Sequence, residues 1–324
     1  MNSKNAASQQ GNCVSVVLSS YNGEKYIEDQ LLSLLNQTRP PDEVLIVDDC
    51  SQDSTVQIIT NFIDCNGLAN WSIRKNEKNV GWRENFRSIL LEASGEYVFP
   101  CDQDDIWHPD KIRTMLEIAQ GDNTIDVLAC TVKPFYEQGA SQTRADRSNR
   151  NGSTGATVYK HPLNGQLLHV RRPGCAYCVR RDFIHTLKPY WNTNYPYDGL
   201  LFRLAAFKGS LWLLDRQLVD YRRHSGNAVG RDRVNLTTRM KQIGAFFDDL
   251  DLLESFAREH GFLDDEHAKL LAAERKWQLA RLDYLLGKNR LTNLARMIAG
   301  GKMYASGLML AADISLGVFR KLNI

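Results

Sequence analysis

The chain has 324 residues, 43% of them apolar and 24% charged, with a net charge of only +2. This length and composition provide an ample core and exclude an intrinsically disordered protein, and the small net charge gives no argument for nucleic-acid binding. Seven cysteines, an odd number without regular spacing, favour a reducing compartment over a disulfide framework. Residues 1–12 are polar, lack a signal-peptide core and are predicted to be flexible. No apolar run is long enough to span a membrane, so we predict a cytoplasmic protein.

Apolar segments alternate with helical patterns through the first third of the chain. Apolar, β-branched runs predict strands over residues 14–19, 43–47, 71–74 and 96–101. Apolar residues at helical spacing predict helices over residues 24–36, 53–63 and 81–93, and Pro109 is placed to open a fourth helix. This alternation predicts an α/β fold whose parallel sheet is covered by helices on both faces.

The alternation is less regular after the fourth strand. A fifth strand is predicted over 125–132, and residues 138–157 have the composition of a loop. The later elements are strands over 174–179, 211–214 and 217–221, a short helix after Asp182 and a helix over 200–207. From residue 236 the pattern changes to long helices over 236–259, 266–286 and 289–319. We therefore predict one domain over residues 13–232 and a C-terminal helical region over 233–324.

Three carboxylates, Asp102, Asp104 and Asp105, follow the fourth strand directly. Crowded carboxylates repel one another unless a cation lies among them, and hard oxygen ligands suit Mg²⁺ or Mn²⁺ better than zinc. The alternative is a solvated acidic turn that caps the helix from Pro109. The triplet by itself does not decide between a metal site and a turn.

Polar side chains also follow the first two strands, at residues 19–22 and at Asp48 and Asp49. In sheets of this kind ligands bind beyond the carboxyl ends of the strands, so these clusters and the acidic triplet are predicted to converge on one site. Neither a G-x-G-x-x-G fingerprint nor a P-loop follows the first strand. A phosphate-bearing ligand would therefore be held through a metal ion.

The assembled motifs resemble those of the family 2 inverting glycosyltransferases, which have the GT-A fold. Within that family they are most similar to bacterial rhamnosyltransferases that build surface polysaccharide such as O-antigen. The matching segments, in the family's order, are residues 14–23, 46–55, 79–81, 102–111 and 221–227. The resemblance implies a Rossmann-like, mainly parallel sheet with a C-terminal helical extension, and a sugar transfer that depends on Mg²⁺ or Mn²⁺.

Carried over residue by residue, the resemblance implies a nucleotide-sugar site at the strand ends. The residues implied for the donor are Ser19, Tyr21, Asn22, Asp48, Asp49, Asp102 and Arg222. Asp49 would bond to the pyrimidine base, and Asp102 would face the ribose. Packing at the strand end is the alternative for Ser19 and Tyr21, and helix capping is the alternative for Asp48.

The metal site implied by the resemblance centres on Asp104, with Asp105 extending the motif and His224 approaching from the other side. Arg222 and Arg223 would accompany His224 near the diphosphate. A structural role is the alternative for His224, as for any lone histidine. Buried packing, rather than stacking on a sugar, is expected for two tryptophans, Trp82 and Trp107.

Asp198 is the candidate catalytic base, because it lies at the start of a predicted helix where the family places a carboxylate. The preceding Tyr197 departs from the acid or histidine that is usual there. A pure helix-capping role is the alternative, since Asp is favoured at helix N-termini. As a base, Asp198 would take the proton of the acceptor hydroxyl while that oxygen attacks the anomeric carbon, so one displacement inverts the centre.

The implied reaction moves a sugar, L-rhamnose from dTDP-rhamnose, to a hydroxyl of a growing, lipid-linked surface polysaccharide. The alternatives are the same reaction with a UDP-sugar donor and a non-catalytic nucleotide-sugar binding protein. A nucleotidyltransferase is disfavoured because residues 20–23 supply no basic, Gly-rich phosphate loop. A phosphohydrolase would place its Asp-x-Asp motif after the first strand rather than the fourth.

The C-terminal region is basic, with nine Lys and Arg against two acids from Arg275 onward. Residues 289–319 combine basic positions with apolar ones, a pattern typical of a helix that lies on an anionic membrane. This interpretation predicts peripheral contact with the cytoplasmic face of the inner membrane. The alternative is a helix packed on the catalytic domain or on a second subunit of a homodimer.

Overall fold

The computed structural model describes residues 13–137, 156–170, 172–192, 195–224 and 235–319. The predicted flexible N-terminus, most of the predicted 138–157 loop, residues 225–227 of the basic motif and the predicted boundary after residue 232 lie outside the described residues. The chain forms two compact units. The first comprises Met1–Tyr159, Arg172–Leu201 and Trp212–Ser225, and the second comprises Lys160–Arg171, Phe202–Leu211 and Gly226–Ile324.

A mixed sheet organises the first unit. Its strands are β1 (Val14–Ser20), β2 (Glu43–Asp48), β3 (Trp71–Lys75), β4 (Tyr97–Asp102), β5 (Ile106–Trp107), β6 (Val127–Tyr136), β7 (Val158–Lys160), β8 (Tyr177–Arg180) and β9 (Leu211–Arg223). Their order is β3-β2-β1-β4-β8-β6-β9-β5, and β7 pairs with β9. β1 runs parallel to β2 and β4, and β2 runs parallel to β3. β8 is antiparallel to β4 and β6, and β5 is antiparallel to β9.

Helices account for more than half of the other residues that the structure describes. They are α1 (Ile27–Leu35), α2 (Thr55–Cys65), α3 (Trp82–Glu92), α4 (Lys111–Gly121), α5 (Arg181–Thr186), α6 (Tyr197–Lys208), α7 (Leu236–Glu259), α8 (Asp265–Leu285), α9 (Arg290–Ala299) and α10 (Gly307–Phe319). Short 3-10 turns cover Gly174–Ala176, Lys188–Tyr190 and Gly301–Met303. Within the described part of the chain, no helix has both the length and the hydropathy needed to cross a bilayer.

The register of the parallel strands positions the candidate site. β1 is the central parallel strand, and its Val14, Val16, Val17 and Leu18 side chains are completely buried. Ser19 lies opposite Asp102 of β4, and Ser20 lies opposite Asp48 of β2. The polar ends of three strands therefore meet at one edge of the sheet, as the sequence predicts.

The structure corrects several of the predicted elements. The sheet is mixed rather than parallel throughout, because strand–helix alternation stops after α4 and crossover connections no longer dictate parallel pairing. Residues 174–176 of a predicted strand form a 3-10 turn. The strands predicted over 211–214 and 217–221 are one strand, β9. Its polar Asp215 and Arg216 resemble a turn in the sequence, but the Asp215 N–H donates to the Thr157 carbonyl and Arg216 pairs with Asp110.

The helix predicted over 289–319 is also wrong, because the chain breaks there into α9 and α10. Gly300 ends α9, and glycine has a low helix propensity. A Cβ atom on Gly300 would lie 2.3 Å from the Trp277 ring, so this close approach requires glycine. The break lets both helices pack within the second unit.

The second unit has its own core. Buried members from α7, α8, α9 and the following turn are Ile243, Trp277, Tyr284, Leu285, Met297 and Tyr304. Four of the apolar residues predicted for a membrane-facing helix, Met309, Leu310, Ile314 and Leu316, pack against this cluster instead. These four side chains therefore belong to a helical core.

Candidate active site

The loop after β1 is held by the side chain of Gln103, which lies in the acidic motif, residues 102–105. The Gln103 amide accepts from the Tyr21 N–H at 2.9 Å and donates to the Tyr21 carbonyl at 3.0 Å. This pair of bonds imitates the pairing of a neighbouring strand and fixes the backbone of Tyr21. The Tyr21 ring remains 46% exposed, so it is accessible to a ligand rather than packed at the strand end. Gln103 is a positioning residue that the sequence analysis did not single out.

Asn22 ties the β1 loop to the β2 loop. It adopts a left-handed conformation (φ 46°), which asparagine tolerates better than most residues. Its N–H donates to Ser51 Oγ at 2.8 Å, and its Oδ1 accepts from the Gln52 N–H at 2.9 Å. Asn22 therefore shapes the predicted pocket through the backbone of the loop that follows Asp49.

Asp48 is completely buried, and its carboxylate is engaged within the protein. Its Oδ2 accepts from Ser20 Oγ at 2.9 Å and from Ser51 Oγ at 2.5 Å, while Oδ1 accepts from the Ser51 N–H at 2.7 Å. The alternative role of Asp48, capping of the following helix, is wrong, because its carboxylate bonds to Ser20 and Ser51 instead. The Thr55 N–H at the start of α2 is satisfied by Asp53. Asp48 thus joins the first two loops from beneath.

Asp49 is also buried and orders the loop that precedes α3. Its Oδ1 accepts from the Val80 N–H and Asn76 Nδ2 at 2.8 and 3.0 Å, and its Oδ2 accepts from the Gly81 N–H at 2.8 Å. These bonds connect Asp49 to residues 79–81, which form another of the matching motif segments. A bond from Asp49 to a base would add to this arrangement through a remaining lone pair.

A second positioning residue, Asn85 of α3, supports Ser19. Asn85 is completely buried and donates from Nδ2 to Ser19 Oγ at 2.7 Å and to the Val47 carbonyl at 2.9 Å. Its Oδ1 accepts from Asn76 at 2.9 Å. The sequence carries a signal for Asn85, a polar residue on the inner face of an otherwise apolar helix surface, but the analysis did not use it.

The acidic loop, residues 102–105, places two of its carboxylates close to the thiol of Cys175. One ligand atom from each of Asp102, Asp105 and Cys175 lies within 4.8 Å of the others. Asp105 is completely buried; its Oδ1 accepts from the Arg222 N–H at 3.1 Å, and the Cys175 thiol lies beside its carboxylate as a weak donor. Burial, then the charges of Asp104 and Asp102, raise the pKa of Asp105 well above its usual value. Cys175 is a further residue that the sequence analysis missed.

Asp102 experiences a similar environment. Burial first, then the negative charges of Asp104 and Asp198, raise the pKa of Asp102 to about 7. Asp198 is therefore close enough for its charge to act on Asp102, although 96 positions separate them in the chain. The fold brings the predicted base and the acidic motif into one site.

His224 and Asp104, two of the predicted metal ligands, form a direct pair. His224 Nε2 lies 2.7 Å from Asp104 Oδ2, and the imidazole stacks on Tyr26 with ring centroids 4.7 Å apart. The contact draws the end of β9 onto the acidic loop. His224 is thus positioned at the site, whichever of its two predicted roles it performs.

Arg222 lies beneath the acidic loop. It is only 8% exposed, and its guanidinium donates to the Asp104 carbonyl at 2.8 Å and to Asp29 at 2.9 Å. Its Nη1 lies 3.6 Å from Glu137. Through these bonds the Arg222 side chain braces the acidic loop.

Asp198 lies in the first turn of α6, where its Oδ1 accepts from the Gly199 N–H at 2.8 Å. The preceding Tyr197 is buried, and its ring packs 4.3 Å from that of Phe86. A Cβ atom on Gly174 would lie 2.0 Å from the Tyr197 hydroxyl, so the 3-10 turn and Tyr197 are in close contact. The base and cap roles of Asp198 remain compatible with this geometry.

A buried lysine lies behind the site. Lys111 is completely buried, donates to the Cys175 carbonyl at 2.9 Å and places Nζ 3.1 Å from the Trp107 ring centroid. Trp107 is 2% exposed, which confirms its predicted packing role. The same expectation was wrong for Trp82, which is 36% exposed and carries Arg83 over its ring.

The acidic loop has the donor set for a hard divalent cation. Asp102, Asp104 and Asp105 are crowded together, and a cation among them would relieve the mutual repulsion of their charges. Burial and the neighbouring carboxylates raise the pKa of the Cys175 thiol well above its usual value, so it stays protonated and is a poor ligand. Carboxylate oxygens and His224 are therefore the residues that fit Mg²⁺ or Mn²⁺.

Comparisons with known proteins agree with the fold and the motifs. Residues 15–186, more than half of the chain, match the sequence model of Glycosyl transferase family 2. The dTDP-rhamnosyl transferase RfbG of Shigella flexneri is 26% identical over 239 residues, which are 70% of this chain and 78% of that protein.

Solved structures support the fold alone, since their sequence identity is low. S. aureus TarS 1–349 in complex with UDP has a TM-score of 0.56 at 19% identity, covering 96% of this chain and 92% of that chain. The chain spans 43% of a longer TarS structure. The mannosyltransferase PcManGT of Pyrobaculum calidifontis, in complex with GDP-Man and Mn²⁺, has a TM-score of 0.53 at 17% identity and covers 96% and 87%. The predicted GT-A fold is confirmed.

Proposed function

Because the chain belongs to Glycosyl transferase family 2, we propose that it moves L-rhamnose from dTDP-rhamnose to a hydroxyl of a growing, lipid-linked bacterial surface polysaccharide, such as O-antigen. The observation that carries the reaction type is the acidic motif at the end of β4, beside the end of β1, with Asp198 near enough for its charge to act on Asp102. The choice of donor is supported by the relative named as a dTDP-rhamnosyl transferase.

The donor lies along the strand ends in this proposal. The nucleotide contacts the exposed Tyr21 ring and the loops that Asp48 and Asp49 hold, and Ser19, fixed by Asn85, lines the floor. The diphosphate extends toward the acidic loop, with Asp102 on the ribose side and Arg222 bracing the loop from beneath. Rigid loops lower the entropy that donor binding costs.

Asp198 performs the proton transfer. Its carboxylate accepts the proton of the acceptor hydroxyl as the oxygen forms its bond to the anomeric carbon and the bond to the diphosphate breaks. Only one carboxylate is needed because a single displacement inverts the centre. The Gly199 N–H donates to Oδ1 of Asp198 and so fixes the orientation of the carboxylate.

Asp104, Asp105 and His224, with Asp102 beside them, are the residues that would hold Mg²⁺ or Mn²⁺. When bound, such an ion supplies the positive charge that stabilises the departing nucleoside diphosphate. The contact between His224 and Asp104 brings two of these residues together without any ion.

A UDP-sugar donor is the second candidate, because the TarS structures that share this fold contain UDP or UDP-GlcNAc. The discriminating experiment is a thermal-shift screen of dTDP, UDP and GDP compounds, with and without Mn²⁺ or Mg²⁺, on wild type and Asp104→Ala. A ligand that binds only the folded state raises the melting temperature. We expect a metal-dependent shift with dTDP-rhamnose that Asp104→Ala loses.

Other results of the screen have definite meanings. A larger shift with UDP-sugars would replace the donor, and a shift without sugar transfer to any lipid-linked acceptor would indicate a non-catalytic binding protein. If no nucleotide shifts the melting temperature of wild type, the site assignment is wrong.

A further inference from the structure

We propose that the outward faces of α9 and α10 form a surface that binds an anionic membrane. The exposed residues that define this C-terminal surface are Leu291, Ala295 and Ile298 of α9 and Leu308, Ala311, Ser315 and Val318 of α10. The surface lies within the second unit and involves none of the residues placed in the glycosyltransferase site. The inference therefore goes beyond the proposed function and does not depend on it.

The surface is apolar where a helix of an ordinary bundle would be polar. Leu291, Ile298, Leu308 and Val318 are 86, 58, 53 and 50% exposed. Their spacing places them on one side of each helix, opposite the buried Asn293 and Met297 of α9 and the buried Asp313 of α10. The inward residues are already used by the core of the second unit, so the outward ones constitute a separate feature.

The charge of this segment has one sign. Residues 284–324 contain six Lys and Arg and a single acid, Asp313. Asp313 is completely buried and paired with Arg281 and Arg239. Within the described part of the segment, α9 thus exposes basic and apolar side chains, α10 exposes mainly apolar ones, and neither helix exposes a carboxylate. Lys302 is exposed between the two helices, and Arg296 is exposed on α9.

An anionic bilayer fits both properties of this surface. Its headgroups attract lysine and arginine, and its acyl boundary accepts the leucine, isoleucine and valine side chains of helices that lie in the interface plane. A second copy of the chain fits less well, because a twofold contact would set the same basic patch against itself. The structure thus changes the residues expected to meet the lipid: Leu291, Ile298, Leu308 and Val318, rather than the inward Met309 or Ile314.

Vesicle co-sedimentation of the full-length protein tests the proposal. Phosphatidylcholine vesicles with and without phosphatidylglycerol are the probes, and analytical ultracentrifugation records the oligomeric state. We expect binding to the anionic vesicles that weakens with salt. The double variant Leu291→Glu/Ile298→Glu should bind at least tenfold more weakly, because two apolar contacts are lost and two like charges are added. Lys302→Glu should weaken binding at least fivefold, the equivalent of about 1 kcal/mol for a basic residue near an anionic surface.

Leu32→Glu is the matched control, since Leu32 is 48% exposed on α1 of the first unit. This variant should bind vesicles like wild type, and far-UV circular dichroism should be unchanged in all variants. Equal binding to neutral vesicles, no binding to either, or unchanged binding of the Leu291→Glu/Ile298→Glu variant would overturn the proposal. A dimer that dissociates in that variant, without vesicle binding in wild type, would assign the surface to a second copy.

Discussion

Asp313 in the second unit and Asp105 in the first are both completely buried carboxylates, yet their surroundings are opposite. Asp313 Oδ2 accepts from Arg281 Nε at 2.8 Å and from the Tyr304 hydroxyl at 3.1 Å, and its Oδ1 lies 2.9 Å from Arg239 Nε. Asp105 accepts one backbone N–H, and its side-chain neighbours are the Cys175 thiol and the carboxylates of Asp102 and Asp104 rather than arginines.

The difference separates a carboxylate that holds the fold from one that awaits a ligand. A buried charge is costly unless it is paired, and the second unit supplies the pairing from its own arginines. In the first unit Asp102, Asp104 and Asp105 lie close together at the end of one strand, and their negative charges repel one another. The proposed donor and cation bind at this position. Mutations in the two clusters should therefore affect different properties, stability in one and reaction in the other.

The largest expected effect is on the reaction. Asp198→Asn should lower kcat by about 10²- to 10⁴-fold, the usual contribution of a general base, with little change in the KM of the donor. The melting temperature should not change, because the amide oxygen still accepts from the Gly199 N–H. Initial rates with the donor identified by the thermal-shift screen measure kcat.

The control for this substitution is Asp182→Asn, in the first turn of α5, which should retain full activity. A variant of Asp198 with normal kcat would reduce the residue to a helix cap. A large loss of stability would point the same way.

The second effect concerns the paired cluster. Arg281→Met removes one of the two arginines that compensate Asp313 and should lower the free energy of unfolding by about 3 kcal/mol, since breaking a buried pair strands its partner. Chemical denaturation followed by circular dichroism measures this loss.

Arg275→Met provides the comparison for that loss. Arg275 pairs with Asp251 and Glu254 at the surface, where such contacts contribute about 1 kcal/mol or less. Equal losses in the two variants would mean that burial of the Asp313 cluster has no energetic consequence. Donor binding should be unchanged in both variants.

The stability of the protein should depend on pH through Glu274 of the second unit. This buried acid has no arginine at ion-pair distance among the described residues. Burial raises its pKa to about 8 from the ordinary 4.5, and the charge of Arg281 and a hydrogen bond with Gln278 oppose this rise only in part. Between these values the folded state keeps a proton that the unfolded state releases, so stability falls as the pH rises and levels off above about 8.

Glu274→Gln should therefore be more stable than wild type by about 4 kcal/mol at pH 8 and equal to it near pH 4.5. Melting curves across this window check the slope. The exposed Glu266→Gln on the same helix should reproduce the wild-type slope. A Glu274→Gln variant with that same slope would refute the assignment.

The smallest effect tests Asp105. Asp105→Asn removes a carboxyl whose ionised form is disfavoured by burial and by the charges of Asp104 and Asp102, and it keeps an acceptor for the Arg222 N–H. Without metal it should therefore stabilise the protein by about 1 kcal/mol at neutral pH. The same variant should lose the stabilisation that Mn²⁺ gives to wild type. Thermal melts with and without Mn²⁺ measure both. Destabilisation without metal would mean that the carboxylate is compensated within the fold.

Local signals in the sequence predicted much of the first unit. The apolar strands 14–19 and 43–47 and the helix from residue 236 to 259 appear at their predicted positions, because burial periodicity is a property of short segments. The helix over 289–319 failed because its apolar spacing continues through Gly300, where the contact with Trp277 ends α9. Strand β9 was divided in two because Asp215 and Arg216 find partners that are distant in sequence.

The candidate site also divides into features that the sequence predicted and features that it did not. Strand-end positions of Ser19, Asp48 and Asp102 followed from the predicted parallel register. The clamp by Gln103, the support from Asn85 and the approach of Cys175 did not, because each joins residues more than 60 positions apart. No short-range pattern encodes such contacts.

The sequence by itself determined the family, the parallel half of the sheet and the grouping of polar residues at strand ends, since motif spacing and hydrophobic period are local. The tertiary structure alone decided which buried carboxylates receive a counter-charge, and which apolar residues of the last two helices face outward. Both depend on what packs against each side chain from distant parts of the chain. Asp313 and Asp105 are the same residue type, and only their packing neighbours make one a structural anchor and the other a candidate ligand.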